Sequence, residues 1–250
     1  MAVQGLILAA GRGSRMGKTT DDQPKGLIKL AGRSLIERQM EALEAAGADK
    51  IALCTGYKAD MLDGFGVQRF YNARWAETNM VATLLAADDW LSSGTTIVSY
   101  SDIFYDPLTV IRLARCTDDI AISYDPHWAA LWKDRFEDPL SDAETFRTDE
   151  DGYLLEIGGK TQSMADIKGQ YMGLLKLTPE GWAKTRNLVE GLMDAVQDKL
   201  DMTSLLQRLI MSGAKVGTTP VQGCWGGCDN EKDLAYFERK VSNGDLSLHK

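Results

Sequence analysis

Residues 3–9 form an apolar run that passes directly into a polar loop carrying Gly11, Gly13, Arg12, Arg15, Lys18 and Lys25, and no helix signal follows until Ser34. A short apolar run that ends in glycine reads as a buried strand. The loop is too long for a simple turn, which ordinarily needs about 2–6 residues. A chain that opens this way is committed to a sheet whose first strand delivers a flexible, cationic loop at its carboxyl end. In open α/β sheets that end is where ligands bind.

The rest of the chain supports that class. Ser34 and Glu37 predict a capping box, with Ile36, Met40 and Leu43 at helical spacing and Gly47 as the stop. Strands are expected at 50–55, 66–70, 95–100, 120–124, 170–177 and 215–220, and helices at 34–46, 78–91, 107–115, 179–189, 203–211 and 230–241. Strands that alternate with helices at this spacing predict a largely parallel α/β sheet wound by right-handed crossovers. The rhythm changes at 125–169, which is rich in Trp, Asp and Gly, and this stretch reads as a lobe covering one edge of the sheet. The expected organisation is one domain over 1–250 with that excursion inside it.

At 250 residues, 44% hydrophobic and 26% charged, the chain has the composition of an ordinary globular protein, which excludes disordered, collagen-like and coiled-coil classes. The 28 Lys and Arg against 36 Asp and Glu leave a net charge of −8, which argues against nonspecific nucleic-acid binding. A local cluster of cations and backbone N–H groups can still hold a small anion. No apolar run approaches the roughly 20 residues a bilayer span needs. The start has no basic n-region, its first cation being Arg12, so no secretory signal is expected. Cys54, Cys116, Cys224 and Cys228 are few and scattered, which suits reduced thiols in a cytoplasm.

Several phosphate-binding patterns compete for the first loop. The dinucleotide pattern G-x-G-x-x-G fails because Met16 stands where its last glycine belongs, and no acid ends the second strand at Thr55-Gly56. A Walker A loop nearly fits at Gly17-Lys18-Thr19, but its first glycine would fall at Arg12. A plain glycine turn with solvated Arg and Lys remains the bland alternative.

The run Leu8-Ala-Ala-Gly-Arg-Gly-Ser-Arg-Met16, followed by Pro24-Lys25, resembles the signature of nucleotidyltransferases that join a nucleoside triphosphate to a phosphorylated small molecule. Ser99-Tyr-Ser-Asp102 and Trp225-Gly-Gly-Cys-Asp229 resemble that family's two metal-binding segments. Thr78-Asn-Met80, Asp142-Ala-Glu144, Ile157-Gly-Gly-Lys160 and Gly169-Gln-Tyr-Met-Gly173 are similar to the phosphocholine and phosphoglutamine cytidylyltransferase-like branch. Many relatives in that branch carry Glu where Gln170 stands.

The resemblance implies a Rossmann-like, mostly parallel sheet of nucleotidyltransferase type with an inserted acceptor-binding lobe. It implies CTP and a small phosphorylated non-sugar acceptor as substrates, pyrophosphate as product and Mg²⁺ as cofactor, in surface-polysaccharide (capsule) or related biosynthesis. Arg15 and Lys25 would be catalytic, with Asp102 and Asp229 on the metal. Leu8, Ala9, Ala10, Gly11, Arg12, Gly13, Thr55, Gly56, Asn79 and Ser101 would bind nucleotide, and Trp128, Trp132, Lys160, Gln170 and Tyr171 the acceptor. Trp and Tyr faces can hold an ammonium group, or they can simply pack the lobe.

Asp102 and Asp229 can share one metal only if the last strand returns beside the first sheet. A sugar-1-phosphate nucleotidyltransferase using UTP, dTTP or GTP is the nearest alternative; a noncatalytic nucleotide-binding module is another. Oligomeric state stays open.

Overall fold

The computed structural model describes residues 2–248; Met1, His249 and Lys250 of the expected 1–250 domain lie outside the described residues. The central sheet is built from β1 (Val3–Ala9), β2 (Ala48–Thr55), β3 (Gln68–Tyr71), β4 (Thr96–Tyr100), β5 (Ile120–Asp125), β6 (Gln170–Leu177) and β7 (Gly217–Pro220). Their order across the sheet is β7-β5-β6-β4-β1-β2-β3. Only β6 is antiparallel to its neighbours, β4 and β5. The fold is therefore α/β with a mostly parallel sheet. The carboxyl ends of the six parallel strands and the start of β6 share one edge, and there the functional loops gather.

Every residue of β1 is buried, as a central strand covered on both faces must be. Successive side chains serve opposite layers. Leu6 and Leu8 join Val81, Leu84, Trp182 and Leu205 on one face, while Ile7 and Ala9 join Ile36, Leu43 and Val110 on the other. The helix Leu35–Ala45 starts at the expected capping box, where Ser34 Oγ accepts from Glu37 N at 3.2 Å and the Glu37 carboxylate accepts from Ser34 N at 2.6 Å.

Several elements differ from expectation. The single helix at 78–91 is two, Met80–Leu85 and Asp88–Ser93. Asp88 and Asp89 open the second one, where acidic side chains suit a helix N-terminus, and Asp88 Oδ1 also accepts from Trp182 Nε1 at 2.6 Å. The strand expected at 66–70 begins only at Gln68, because Gly66 closes a preceding 3-10 turn.

The 125–169 stretch contains a helix, Trp128–Arg135, and an antiparallel pair, Phe146–Thr148 with Leu154–Ile157. Trp128, Trp132, Ala143 and Ile167 make its own small core, and Thr218 N in edge strand β7 donates to Gly152 O at 3.1 Å. Among the described residues no helix is long and apolar enough to cross a membrane.

Candidate active site

The loop after β1 turns on Gly13, whose backbone is left-handed at φ 70°. A Cβ at Gly13 would stand 2.7 Å from Lys25 Cδ, so the glycine also makes room for the lysine stem. Thr20 Oγ1 donates to Gly13 O at 3.1 Å, and fully buried Met16 anchors the loop from below. Pro24 precedes the short 3-10 turn Lys25–Leu27, which aims the ammonium inward with only 8% of the side chain exposed.

Asp102 follows β4 by two residues. The next segment, Ile103–Tyr105, pairs antiparallel with Trp225–Gly227, and Cys228 N donates to Asp102 O at 2.9 Å. Gly226 permits that approach, since a Cβ there would stand 2.4 Å from the Phe237 ring. Two carboxylates distant in sequence are thereby brought side by side, although through a separate two-stranded ribbon rather than through the main sheet.

Lys25 Nζ bridges them, donating to Asp102 Oδ2 at 2.6 Å and to Asp229 Oδ1 at 3.4 Å. Arg15 donates to the same Asp229 oxygen at 2.9 Å, and Arg135 donates to Oδ2 at 3.3 Å. Burial works against the charge on Lys25, but Asp102 and Asp229 outweigh it and raise the ammonium above its ordinary pKa. Burial would likewise push the Asp229 carboxyl up, yet Lys25, Arg15 and Arg135 together hold it below the usual value. Both groups are charged at neutral pH.

Two clefts meet at this cluster. One, of about 270 Å³, is lined by the less polar Leu8, Ala10, Gly11, Trp75 and Thr83 together with the charged Arg15, Lys25 and Asp102. Asn79 and Ser101 also line it, and Gly13 closes the loop side. The other cleft, of about 380 Å³, is lined by Trp132, Gln170, Tyr171 and Trp225 together with Arg15, Arg135 and Asp229. Arg15, Met80, Tyr100 and Asp102 belong to both clefts.

Some residues expected at the site stand elsewhere. Ala9 points into the core behind β1, and Arg12 turns outward to pair with Asp21 at 2.7 Å. Thr55 and Gly56 line a neighbouring depression, separated from the first cleft by Trp75. Trp128 packs inside the lobe with its indole N–H on Ile167 O at 3.3 Å, away from the second cleft. Trp132 reaches that cleft, but the Arg135 guanidinium already sits over its ring at 5.4 Å. Lys160 is exposed, its Nζ 3.5 Å from Asp142 O and off the cleft lining.

Gln170 is buried at the second cleft, donating to Glu144 O at 2.6 Å and accepting from Glu144 N at 3.1 Å. Trp75 and Arg135 were not anticipated, and Tyr100 and Trp225 figured only as members of the two expected metal-binding segments. Only the aromatic character of the 71–75 stretch hinted at Trp75.

Residues 5–159 match the family described as MobA-like NTP transferase domain. Over 245 residues the chain is 34% identical to a CTP:phosphoglutamine cytidylyltransferase of Campylobacter jejuni subsp. jejuni, with 92% of this chain and 96% of that protein covered. An inositol-1-phosphate CTP transferase from T. maritima shares the fold with a TM-score of 0.73 at 17% identity, over 98% of this chain and 97% of that one. A CTP:phosphocholine cytidylyltransferase from Streptococcus pneumoniae does so with a TM-score of 0.69 at 18% identity, over 96% and 100%.

Proposed function

The chain belongs to the MobA-like NTP transferase domain family, and from that premise we propose that it is a cytidylyltransferase joining CTP to a small phosphorylated non-sugar acceptor with release of pyrophosphate. The observation that carries the reading is the junction itself: two clefts share Arg15 and Asp102, and Lys25 stands between the two carboxylates there. The first cleft suits a nucleotide, with less polar walls for the base and charge for the phosphates. The second suits a phosphorylated acceptor, with the Arg15 guanidinium at the junction.

In this reading an oxygen of the acceptor phosphate attacks the α-phosphorus of CTP in line. The new O–P bond forms as the bond to the β-phosphate oxygen breaks, and pyrophosphate leaves with that electron pair. A phosphate monoester is already ionised near neutral pH, its second pKa being about 6, so no side chain need remove a proton. Lys25 neutralises the α-phosphate and the incoming oxygen, and Arg15 the leaving phosphates. Catalysis is alignment plus charge neutralisation.

The donor set also fits a divalent cation. Asp102 and Asp229 supply hard oxygen ligands, and the Lys25 ammonium already bridges them as a cation would. Among the described residues no group of three or more His, Cys, Asp or Glu converges. The carboxylate pair suits Mg²⁺, which often takes one or two carboxylates with phosphate oxygens and water. Bound there, it would supply charge neutralisation at the reacting phosphate.

The 34% identity to a CTP:phosphoglutamine cytidylyltransferase, over almost the whole of both chains, supports CTP and a non-sugar acceptor. The reading also implies a cytoplasmic enzyme, one domain over 1–250 with an acceptor lobe at 125–169, whose CMP-activated product serves surface-polymer assembly.

A pyrophosphate-release screen tests it, using CTP, UTP, dTTP and GTP against phosphocholine, phosphoglutamine, 2-aminoethylphosphonate and sugar 1-phosphates. Release with CTP and an amine-bearing acceptor is expected. Turnover with only sugar phosphates and another triphosphate would reassign the chain to the sugar branch. Nucleotide binding without release would make it a noncatalytic module.

A further inference from the structure

Arg135 carries a charge at the end of the lobe helix Trp128–Arg135, yet its side chain is only 2% exposed. A buried guanidinium is costly unless it is paired and hydrogen-bonded, and this one is paired twice. Its Nε donates to Asp233 Oδ1 at 2.9 Å and an Nη to Asp229 Oδ2 at 3.3 Å, while the Trp132 and Phe136 rings stand 5.4 and 5.1 Å from its Cζ.

Asp233, with 3% of its side chain exposed, is fixed in turn. Its Oδ2 accepts the backbone N–H of Asp229 at 3.0 Å and of Asn230 at 3.2 Å, and its own N–H donates to Asn230 Oδ1 at 3.1 Å in a capping box. One buried carboxylate therefore holds both the guanidinium and the main chain of the residue that the guanidinium grips. The two oxygens of Asp229 are divided by this arrangement. Oδ2 is tied back to Arg135, and Oδ1 faces Arg15 and Lys25 at the junction of the clefts.

We propose that Arg135, anchored by Asp233, is a positioning residue that orients Asp229 and couples the placement of the acceptor lobe to the reaction centre. This rests on the transferase reading above. It deepens that reading by giving the lobe a role in assembling the catalytic carboxylates as well as in holding the acceptor.

Asp233 lines neither cleft, so Asp233→Asn loosens the anchor without touching either ligand. The test compares the full-length wild type with Asp233→Asn, Arg135→Lys and Arg135→Met. It measures acceptor-dependent pyrophosphate release, melting temperature, and Mn²⁺ affinity in the presence of CTP by electron paramagnetic resonance. Partners that orient a ligating group are worth about 10–100-fold in activity or metal affinity. Asp233→Asn and Arg135→Lys should therefore lower kcat about tenfold and Arg135→Met about 100-fold, with KM for CTP and acceptor within about threefold of wild type. Mn²⁺ should bind about tenfold more weakly to Arg135→Met.

A rise in acceptor KM with Asp233→Asn silent would overturn the proposal in favour of direct phosphate contact. Lower melting temperatures with unchanged kcat and unchanged Mn²⁺ affinity would reduce the pair to a structural tie. If the wild type releases no pyrophosphate with any acceptor, the transferase reading fails instead, and the Mn²⁺ titration still decides whether Arg135 positions Asp229.

Discussion

The two clefts are assembled in different ways. In the proposed reading the nucleotide side draws on three neighbouring segments of the first half of the chain: the loop after β1, the 75–83 stretch and the turn after β4. The acceptor side draws on the lobe helix, the 142–146 and 170–173 segments, the 201–203 helix start and the 225–229 ribbon. The loop backbone, Arg15, Lys25 and the Trp75, Asn79 and Thr83 side chains shape the first; side chains brought together by topology shape the second. A nucleotide site of the first kind can persist while the acceptor site beside it changes, because few residues belong to both.

The largest effects should therefore follow from changes at the junction, independent of the acceptor offered. Lys25→Ala and Asp102→Asn should each lower kcat about 100-fold or more while the circular-dichroism spectrum stays that of wild type. Steady-state pyrophosphate release against two different acceptors checks this, and a defect confined to one acceptor would mean that the junction is not common to both reactions.

Gly13→Ala tests the backbone character of the nucleotide side. It imposes a left-handed φ of 70° on a residue with a Cβ, and that atom collides with the Lys25 stem. A loss of stability of about 1–2 kcal/mol is expected from the backbone alone. Displacement of Lys25 should also lower kcat/KM for CTP about tenfold. Chemical denaturation and CTP saturation curves measure the two separately.

On the acceptor side, burial raises the Glu144 carboxyl above its ordinary value near 4.5, with Lys160 only partly opposing this. A carboxyl raised in the folded state costs stability once it ionises. The cost begins as pH rises through the ordinary value and is complete above the raised one. Glu144→Gln should therefore raise the melting temperature by about 1–3 °C at pH 7 and leave it unchanged well below pH 4. Calorimetric scans across that range check the sign, and an equal gain at both ends would remove burial of charge as the cause.

The smallest effect is expected at Lys160, which is exposed and off the cleft lining. Lys160→Ala should change acceptor KM less than about threefold, as surface charges usually do. A tenfold rise would restore it as an acceptor contact and would mean that the lobe closes in the complex.

The same contrast explains how much could be read from the sequence. The opening strand, the capping box at Ser34 and the loop carrying Arg15 and Lys25 are local patterns, and local patterns survive in one dimension. Asp102 and Asp229 were visible as residues, but their meeting depends on the ribbon pairing of Ile103–Tyr105 with Trp225–Gly227, two three-residue strands too short to leave a periodic signal. Trp128 and Trp132 look alike in sequence and, one turn apart on one short helix, both enter the lobe core, yet only Trp132 also reaches the cleft. Arg135 escaped notice because a lone arginine after an aromatic stretch has no motif. Its importance comes from Asp229 and Asp233, nearly 100 residues away.

The most direct test is phosphorus NMR of CTP and phosphoglutamine incubated with Mg²⁺ and either wild-type protein or Asp102→Asn. The account predicts equal amounts of pyrophosphate and a CMP-linked product from the wild type, and both formed at least about 100-fold more slowly from the variant although it still binds CTP. Pyrophosphate without acceptor, or wild-type product yield from Asp102→Asn, would contradict it.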